Sequence, residues 1–493
     1  MFEGWDAGPA RSRVARPLRG AATPRPCTRA APVASTAAGS ASSASSSRAS
    51  TPCSTPRTGT CSRPCSDRAE APDAARHALG LARGRELGFT DAQCEALARG
   101  VATEACTLIH GPPGTGKTRV LAEIALFLAE RRCRLFLSAF THRAVDNVLA
   151  TLRELSRDLP LYKVGRLDDD LRRLGVRPVR ALERLALPPG GAIVAGTSFA
   201  ARRFTKDRRF HFVLIDEAGQ VPVVHGAIAM TQARRAILVG DPCQLPPVQK
   251  GGSFDAELEA SIFAWLARRR PAVLLDRSFR MNAELCAPIS AAYYGGRLEA
   301  SGPSARRRLR LQPGGPLREL LDPEVPLVWA RVDHLGRRRR SAEEARLVAD
   351  LVQVLLHHHG LPPGELAVLT PFRTQIRQIR HELQRLDLWR PDLVVDTVER
   401  MQGQEREVVL ISFAGSDRDD LARQAGFYFE PGRWNVSLTR ARSKCILIGS
   451  RHALRARPRD LDQLLAVSRF KGIAARIPVV DLTSRYGGGS AFA

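Results

Sequence analysis

Eight consecutive residues, Gly111-Pro112-Pro113-Gly114-Thr115-Gly116-Lys117-Thr118, combine the types needed to hold a polyphosphate. Closely spaced glycines let backbone N–H groups converge on phosphate oxygens at a helix N-terminus, and the lysine neutralises the outer phosphates. The Thr118 hydroxyl is placed to bind Mg²⁺, completing the Gly-x-x-x-x-Gly-Lys-Ser/Thr pattern of a P-loop. Only six lysines occur in the chain, and one falls at the required position. Further on, the apolar run Phe212-Val213-Leu214-Ile215 delivers two adjacent carboxylates, Asp216 and Glu217. The first suits a metal shell and the second suits orienting and deprotonating an attacking water, the division of labour in phosphoryl transfer to water.

Such residues must be presented by strands, because ligands of open α/β sheets gather at strand carboxyl ends. The P-loop follows an apolar run and opens a helical pattern over 119–130. Strand candidates fall at 107–110, 134–140, 192–197, 212–216 and 236–241, then again at 327–332, 366–370, 393–397, 408–413 and 445–449, with helical stretches between. The pattern predicts an α/β chain with two tandem parallel-sheet domains. The first would span 76–272, with a short insertion at 152–191, and the second 273–470. Residues 471–493 are expected to be a C-terminal tail. Residues 1–75, rich in Ala, Ser, Pro and Arg, have too few large apolar residues for a core and are expected to be disordered. Their Arg and Ser content resembles a transit peptide, without a persistent amphipathic pattern.

Beyond the carboxylates the order of motifs resembles the superfamily 1 helicases, P-loop NTPases of the AAA type with two RecA-like domains. The resemblance is to the 1B branch of the nonsense-mediated-decay and immunoglobulin-mu-binding helicases, and it runs from about residue 87 to 450. It rests on Asp216-Glu217-Ala218-Gly219-Gln220 and on Gly240-Asp241-Pro242-Cys243-Gln244-Leu245-Pro246-Pro247, followed by the stretches 275–281, 370–375, 396–405 and 433–441. It implies that Gln93 reads the adenine edge, Phe279 stacks on the base, and Glu405 joins the nucleotide site. It also implies that Gln244 senses the γ-phosphate, while Arg280 and Arg440 reach the phosphates as arginine fingers from across the cleft. For the nucleic acid strand it implies Thr141 and Asn147, Thr197, Thr370, Pro371 and Arg373, and Thr397. The segment Ser278-Phe279-Arg280-Met281-Asn282 departs from the family's usual Gln-Tyr-Arg-Met-His but keeps ring and finger. The family's accessory β-barrel ahead of the P-loop is not expected from residues 1–75.

With 493 residues and a formal net charge of +25, the chain is too long for a single binding module and suited to polyanions. ATP and Mg²⁺ are the expected cofactors and single-stranded DNA or RNA the expected partner of a monomer acting in the cytoplasm. No apolar run approaches the ~18 residues of a membrane span. The ten cysteines lack the spacing of a secreted disulfide framework, and Cys61 and Cys65 have no downstream partners for zinc. The Glu-x-Lys element of a RecB-type nuclease is absent at all six lysines, and no Asn precedes a Lys as a guanine-specific GTPase would require. Two readings stay open: an ATP-driven helicase or translocase moving 5′ to 3′, and an ATP-gated nucleic-acid-binding factor that does not unwind. A small-molecule kinase would leave the second sheet and its arginines unexplained.

Overall fold

The computed structural model describes residues 73–179, 187–203, 210–247, 260–401 and 403–487. Helices α1 (Ala74–Glu86) and α2 (Asp91–Ala102) lead into an eight-stranded parallel sheet. Its strands are β1 (Cys106–His110), β2 (Arg134–Ala139), β3 (Leu161–Val164), β4 (Arg177–Val179), β5 (Ala192–Thr197), β6 (Phe212–Ile215), β7 (Arg235–Gly240) and β8 (Ala272–Leu274), in the order β4-β3-β5-β2-β6-β7-β1-β8. Apolar side chains lie on both faces, so the central strands read as near-continuous hydrophobic runs. Helix α3 (Lys117–Glu130), buried from Val120 to Ala129, and α4 (His142–Leu155), capped by Thr141, cover one face.

A short parallel pair, β9 (Arg277–Ser278) with β10 (Glu299–Ala300), precedes the second sheet. That sheet holds β11 (Leu327–Arg331), β12 (Leu366–Leu369), β13 (Val394–Asp396), β14 (Arg406–Ser412), β15 (Ala441–Gly449) and β16 (Val479–Asp481), all parallel, in the order β13-β12-β14-β15-β11-β16. Its two faces pack separate apolar cores. Among the described residues, no helix is long and apolar enough to cross a membrane.

The α/β architecture with two parallel sheets is as expected, while four boundaries move. The first sheet continues through β8, which pairs with β1, so it ends after residue 274 and not at 272. The stretch 152–191 is no mere insertion: β3 and β4 extend the sheet beyond β5, and Lys163, buried in β3, is ion-paired to Asp146. The expected tail from 471 is structured instead. A helix, Leu461–Ala474, runs through that point, β16 pairs with β11, Arg331 bonds Asp481, and Leu482 and Tyr486 enter the core. The tail expected at 1–75 lies outside the described residues except for 73–75, where Asp73 caps α1.

Candidate active site

Three neighbouring strands of the first sheet, β1, β7 and β6, end side by side and carry the phosphate chemistry. At the end of β1 the chain turns through 111–116 into α3, and Gly111 N–H is bonded to Gly240 O at 3.0 Å. Gly114 and Gly116 have φ of 76° and 77°, left-handed values that cost other residues energy. A Cβ at Gly114 would stand 2.4 Å from Arg280 Cβ, so this position needs glycine for space as well. The loop is latched from outside: Ser278 Oγ donates to Pro113 O at 2.9 Å, and Phe279 N–H donates to Gly114 O at 2.8 Å. Thr115, fully buried, closes the loop on Pro112 O at 2.8 Å.

At the end of β6, Asp216 is buried and Glu217 N–H donates to its Oδ1 at 2.9 Å. Burial first, then the neighbouring Glu217 charge, pushes the Asp216 carboxyl up to about 7, with Lys117 acting in the opposite direction. Glu217 itself sits at φ 49°, a left-handed conformation unusual for a non-glycine residue and a place where strain of about 1–3 kcal/mol concentrates. Gln220 Nε2 donates to its Oε2 at 3.2 Å, and Lys117 Nζ lies 3.9 Å from its Oε1. The carboxylate is thus fixed from two sides and faces the lysine.

Both lobes line one cleft of about 400 Å³. From the first come residues 112–118, Asp216, Glu217 and Gln244; from the second come Glu399, Arg400, Gly403 and Arg440, with Arg280 from the segment between. Arg440 is 2 % exposed, and its guanidinium bonds Val436 O at 3.1 Å, Gln404 O at 3.1 Å and Thr439 Oγ1 at 3.4 Å. Burial, and then the nearby Arg280 charge, lower its pKa. Arg280 Nε stands 2.5 Å from Glu405 Oε2, and its Nη1 donates to Thr439 O at 3.1 Å.

The remaining expected residues are spread around and beyond this cleft. Gln93 does not line the cleft: it completes a capping box with Thr90 at the start of α2, and its Nε2 donates to Thr115 O at 3.0 Å. Its side chain braces the P-loop. Phe279 is 43 % exposed, outside the cleft lining. Thr141 and Asn147, expected on the strand path, line the same cleft as Lys117 and Glu217. Thr197 stands at the end of β5, in register with Ala139 of β2. Thr370 and Thr397 follow β12 and β13 side by side; Thr370 N–H donates to Asp396 O, and its buried hydroxyl has no protein partner. Arg373, exposed, opens the helix Arg373–Arg385 after Pro371. Much of the Arg337 to Arg340 run is paired: Arg337 with Glu343, Arg338 with Asp417, and Arg339 with Gln424.

Two family profiles, each described as an AAA domain, match residues 88–300 and 258–452. The DNA replication ATP-dependent helicase/nuclease DNA2 of Mus musculus is 29% identical over 435 residues, which cover 81% of this chain and 40% of that protein. Its counterpart from Xenopus laevis is 28% identical over 417 residues, covering 77% and 38% respectively. In these matches the chain is similar to helicases of the superfamily 1 kind. It spans about 40% of the length of those relatives, which are called DNA2 and are not named as members of the nonsense-mediated-decay branch. Among solved structures, the chain matches Arterivirus nonstructural protein 10 (helicase) with a TM-score of 0.39 and 16% identity, covering 80% of this chain and 64% of that one. The motifs of the sequence give no role to His110, Tyr294 and Asn435, which the structure gathers around Asp241 next to Gln244. Tyr294 follows a helical pattern with no motif around it, so its one signal was the side-by-side Tyr293-Tyr294 in a chain with five tyrosines.

Proposed function

We propose that this chain is an ATP-hydrolysing motor of the 1B branch that binds single-stranded DNA and steps along it 5′ to 3′. The observation that carries the reading is the single cleft in which Lys117, Asp216 and Glu217 face Arg280 and Arg440. Lys117 and the loop N–H groups take the β and γ phosphates, and Glu217, held by Gln220 and Lys117, orients the attacking water and accepts its proton. Arg280 and Arg440 leave their present partners to neutralise charge on the transferring phosphoryl group, which draws the two lobes together. Thr118 and Asp216 present hydroxyl and carboxylate oxygens, the hard donors Mg²⁺ takes, to this same cleft. Held there by Thr118 and Asp216, the ion would supply charge neutralisation for the phosphates.

Thr197 on the first sheet, and Thr370 and Thr397 on the second, stand at strand carboxyl ends, where hydroxyls can bond a sugar–phosphate backbone. A strand held at both sheets moves when closure changes their spacing. DNA as the track is supported by the DNA replication for which the relatives are named. The test is the ATPase rate of purified protein with and without poly-deoxythymidine and poly-uridine, beside Lys117→Ala. Stimulation, greater with poly-deoxythymidine and abolished in the variant, is expected. A Lys117-dependent rate indifferent to both polymers overturns the motor and favours an ATP-gated factor.

A further inference from the structure

A buried run of hydrogen bonds beside the phosphate site is used by no step above. Asp241, at the end of β7, is 2 % exposed and its carboxylate accepts from four groups. Oδ1 is 3.0 Å from the His110 ring nitrogen and takes the Cys243 N–H at 2.9 Å; Oδ2 takes Gln244 Nε2 at 2.8 Å and the Tyr294 hydroxyl at 2.7 Å. Tyr294 in turn accepts from Asn435 Nδ2 at 2.7 Å, and the same amide nitrogen donates to Cys243 O at 2.9 Å. His110, Asp241 and Cys243 have a metal-like spacing, yet the donors already on Asp241 and the thiol's own bond to Tyr293 O leave an ion little to bind.

The far end of this run carries Arg440. Asn435 lies in the helix Pro431–Leu438; its carbonyl accepts Thr439 N–H at 3.1 Å and Thr439 Oγ1 at 2.7 Å. Thr439 Oγ1 then touches Arg440 Nη2, and Val436, the next residue along the helix, bonds Arg440 Nε. The helix is seated directly on the sensor loop: a Cβ at Gly432 would stand 2.4 Å from Gln244 O, and Leu245, Val398 and Val436 form a small apolar contact between the lobes. A path of hydrogen bonds, passing from the Asn435 side chain to its own backbone carbonyl, thus joins Gln244 in the first lobe to Arg440 in the second, and the Tyr294 hydroxyl links Asp241 to Asn435 within it.

We propose that Tyr294 is a positioning residue that ties the γ-phosphate sensor Gln244 to the arginine finger Arg440. The proposal rests on the ATPase reading above. A γ-phosphate oxygen competes with Asp241 for the Gln244 amide; when that donor leaves, Oδ2 keeps the Tyr294 hydroxyl, and the bond run to Asn435 readjusts. Because buried hydrogen-bonded groups polarise one another and cannot turn to water, a change at one end shifts the other. Tyr294 touches no substrate atom; it sets where the helix holding Arg440 sits.

The test is a double-mutant cycle on ATP hydrolysis, with kcat and KM measured for wild type, Tyr294→Phe, Arg440→Ala and the double variant. Tyr294→Phe keeps the ring packed against His110 and removes only the hydroxyl. It is expected to lower kcat about tenfold with KM within about twofold, and to change kcat by less than about twofold once Arg440 is alanine. A kcat like wild type, or the same tenfold loss in the Arg440→Ala background, overturns the proposal. If Tyr294→Phe shows no cooperative melting transition, Asn435→Ala replaces it in the cycle with the same expectation. Indifference of the wild type to polymers would sink the motor reading alone, since the cycle is also read on the basal rate; no hydrolysis by wild type would sink both.

Discussion

On the first sheet's side of the cleft, Lys117 stands 3.9 Å from Glu217, and a loop fixed by glycines and by Ser278 surrounds the phosphate position. On the second sheet's side, the cations are engaged elsewhere: Arg440 with three groups of its own lobe, Arg280 with Glu405 and Thr439. The first wall is shaped for its ligand in advance, whereas the second must give up bonds to meet it. Pre-shaping favours affinity, and in the proposed cycle the exchange of partners on the second wall converts binding into movement.

Removing a charge from the pre-shaped wall should therefore cost most. Lys117→Ala is expected to abolish detectable turnover, a loss of at least about 100-fold, and to weaken ATP binding measured by calorimetry. Glu217→Gln keeps the shape and the hydrogen-bonding size but loses the base; turnover should fall by about 10²- to 10³-fold with ATP and strand binding retained. Normal turnover in that variant would remove Glu217 from its role. At the seam between the walls, Gly432→Ala places a Cβ against Gln244 O. Overpacking of this kind costs about 1–3 kcal/mol, so the thermal midpoint should fall and turnover with it; an unchanged midpoint would mean that the lobes do not meet there in solution.

The smallest effect is expected at Glu405, whose partly exposed carboxylate offsets the mutual repulsion of Arg280 and Arg440. Glu405→Gln should lower the stability of the free protein slightly, by less than about 1 kcal/mol, while enlarging the midpoint shift that ATP produces, since phosphate then supplies the missing negative charge. A smaller ATP-induced shift would instead show Glu405 holding the nucleotide itself.

The contrast between the walls also explains what the chain made legible. The P-loop could be read because its requirements are local: glycines at 114 and 116 for left-handed backbone, a lysine at 117, a hydroxyl at 118. The two sheets followed from runs buried on both faces. Strand β3 escaped because a buried lysine interrupts it and its partner, Asp146, is known only from the fold. Strand β16 is three residues long, with Val479 exposed at a sheet edge, and carries too little pattern to stand out. The way Gln93 caps its own helix and bonds a loop 22 residues away depends on the fold and is not encoded in its local spacing. The left-handed Glu217 and the Tyr294 bridge depend on long-range packing, which no local spacing encodes.

The central claim is that the second wall acts on the transition state and not on ground-state binding. It is tested most directly by Arg440→Ala, with ATP affinity from calorimetry set beside the single-turnover hydrolysis rate at saturating ATP. Affinity within about threefold of wild type, with hydrolysis slowed about 100-fold, is the predicted result. Hydrolysis at the wild-type rate, or a loss of affinity as large as the loss of rate, would contradict it.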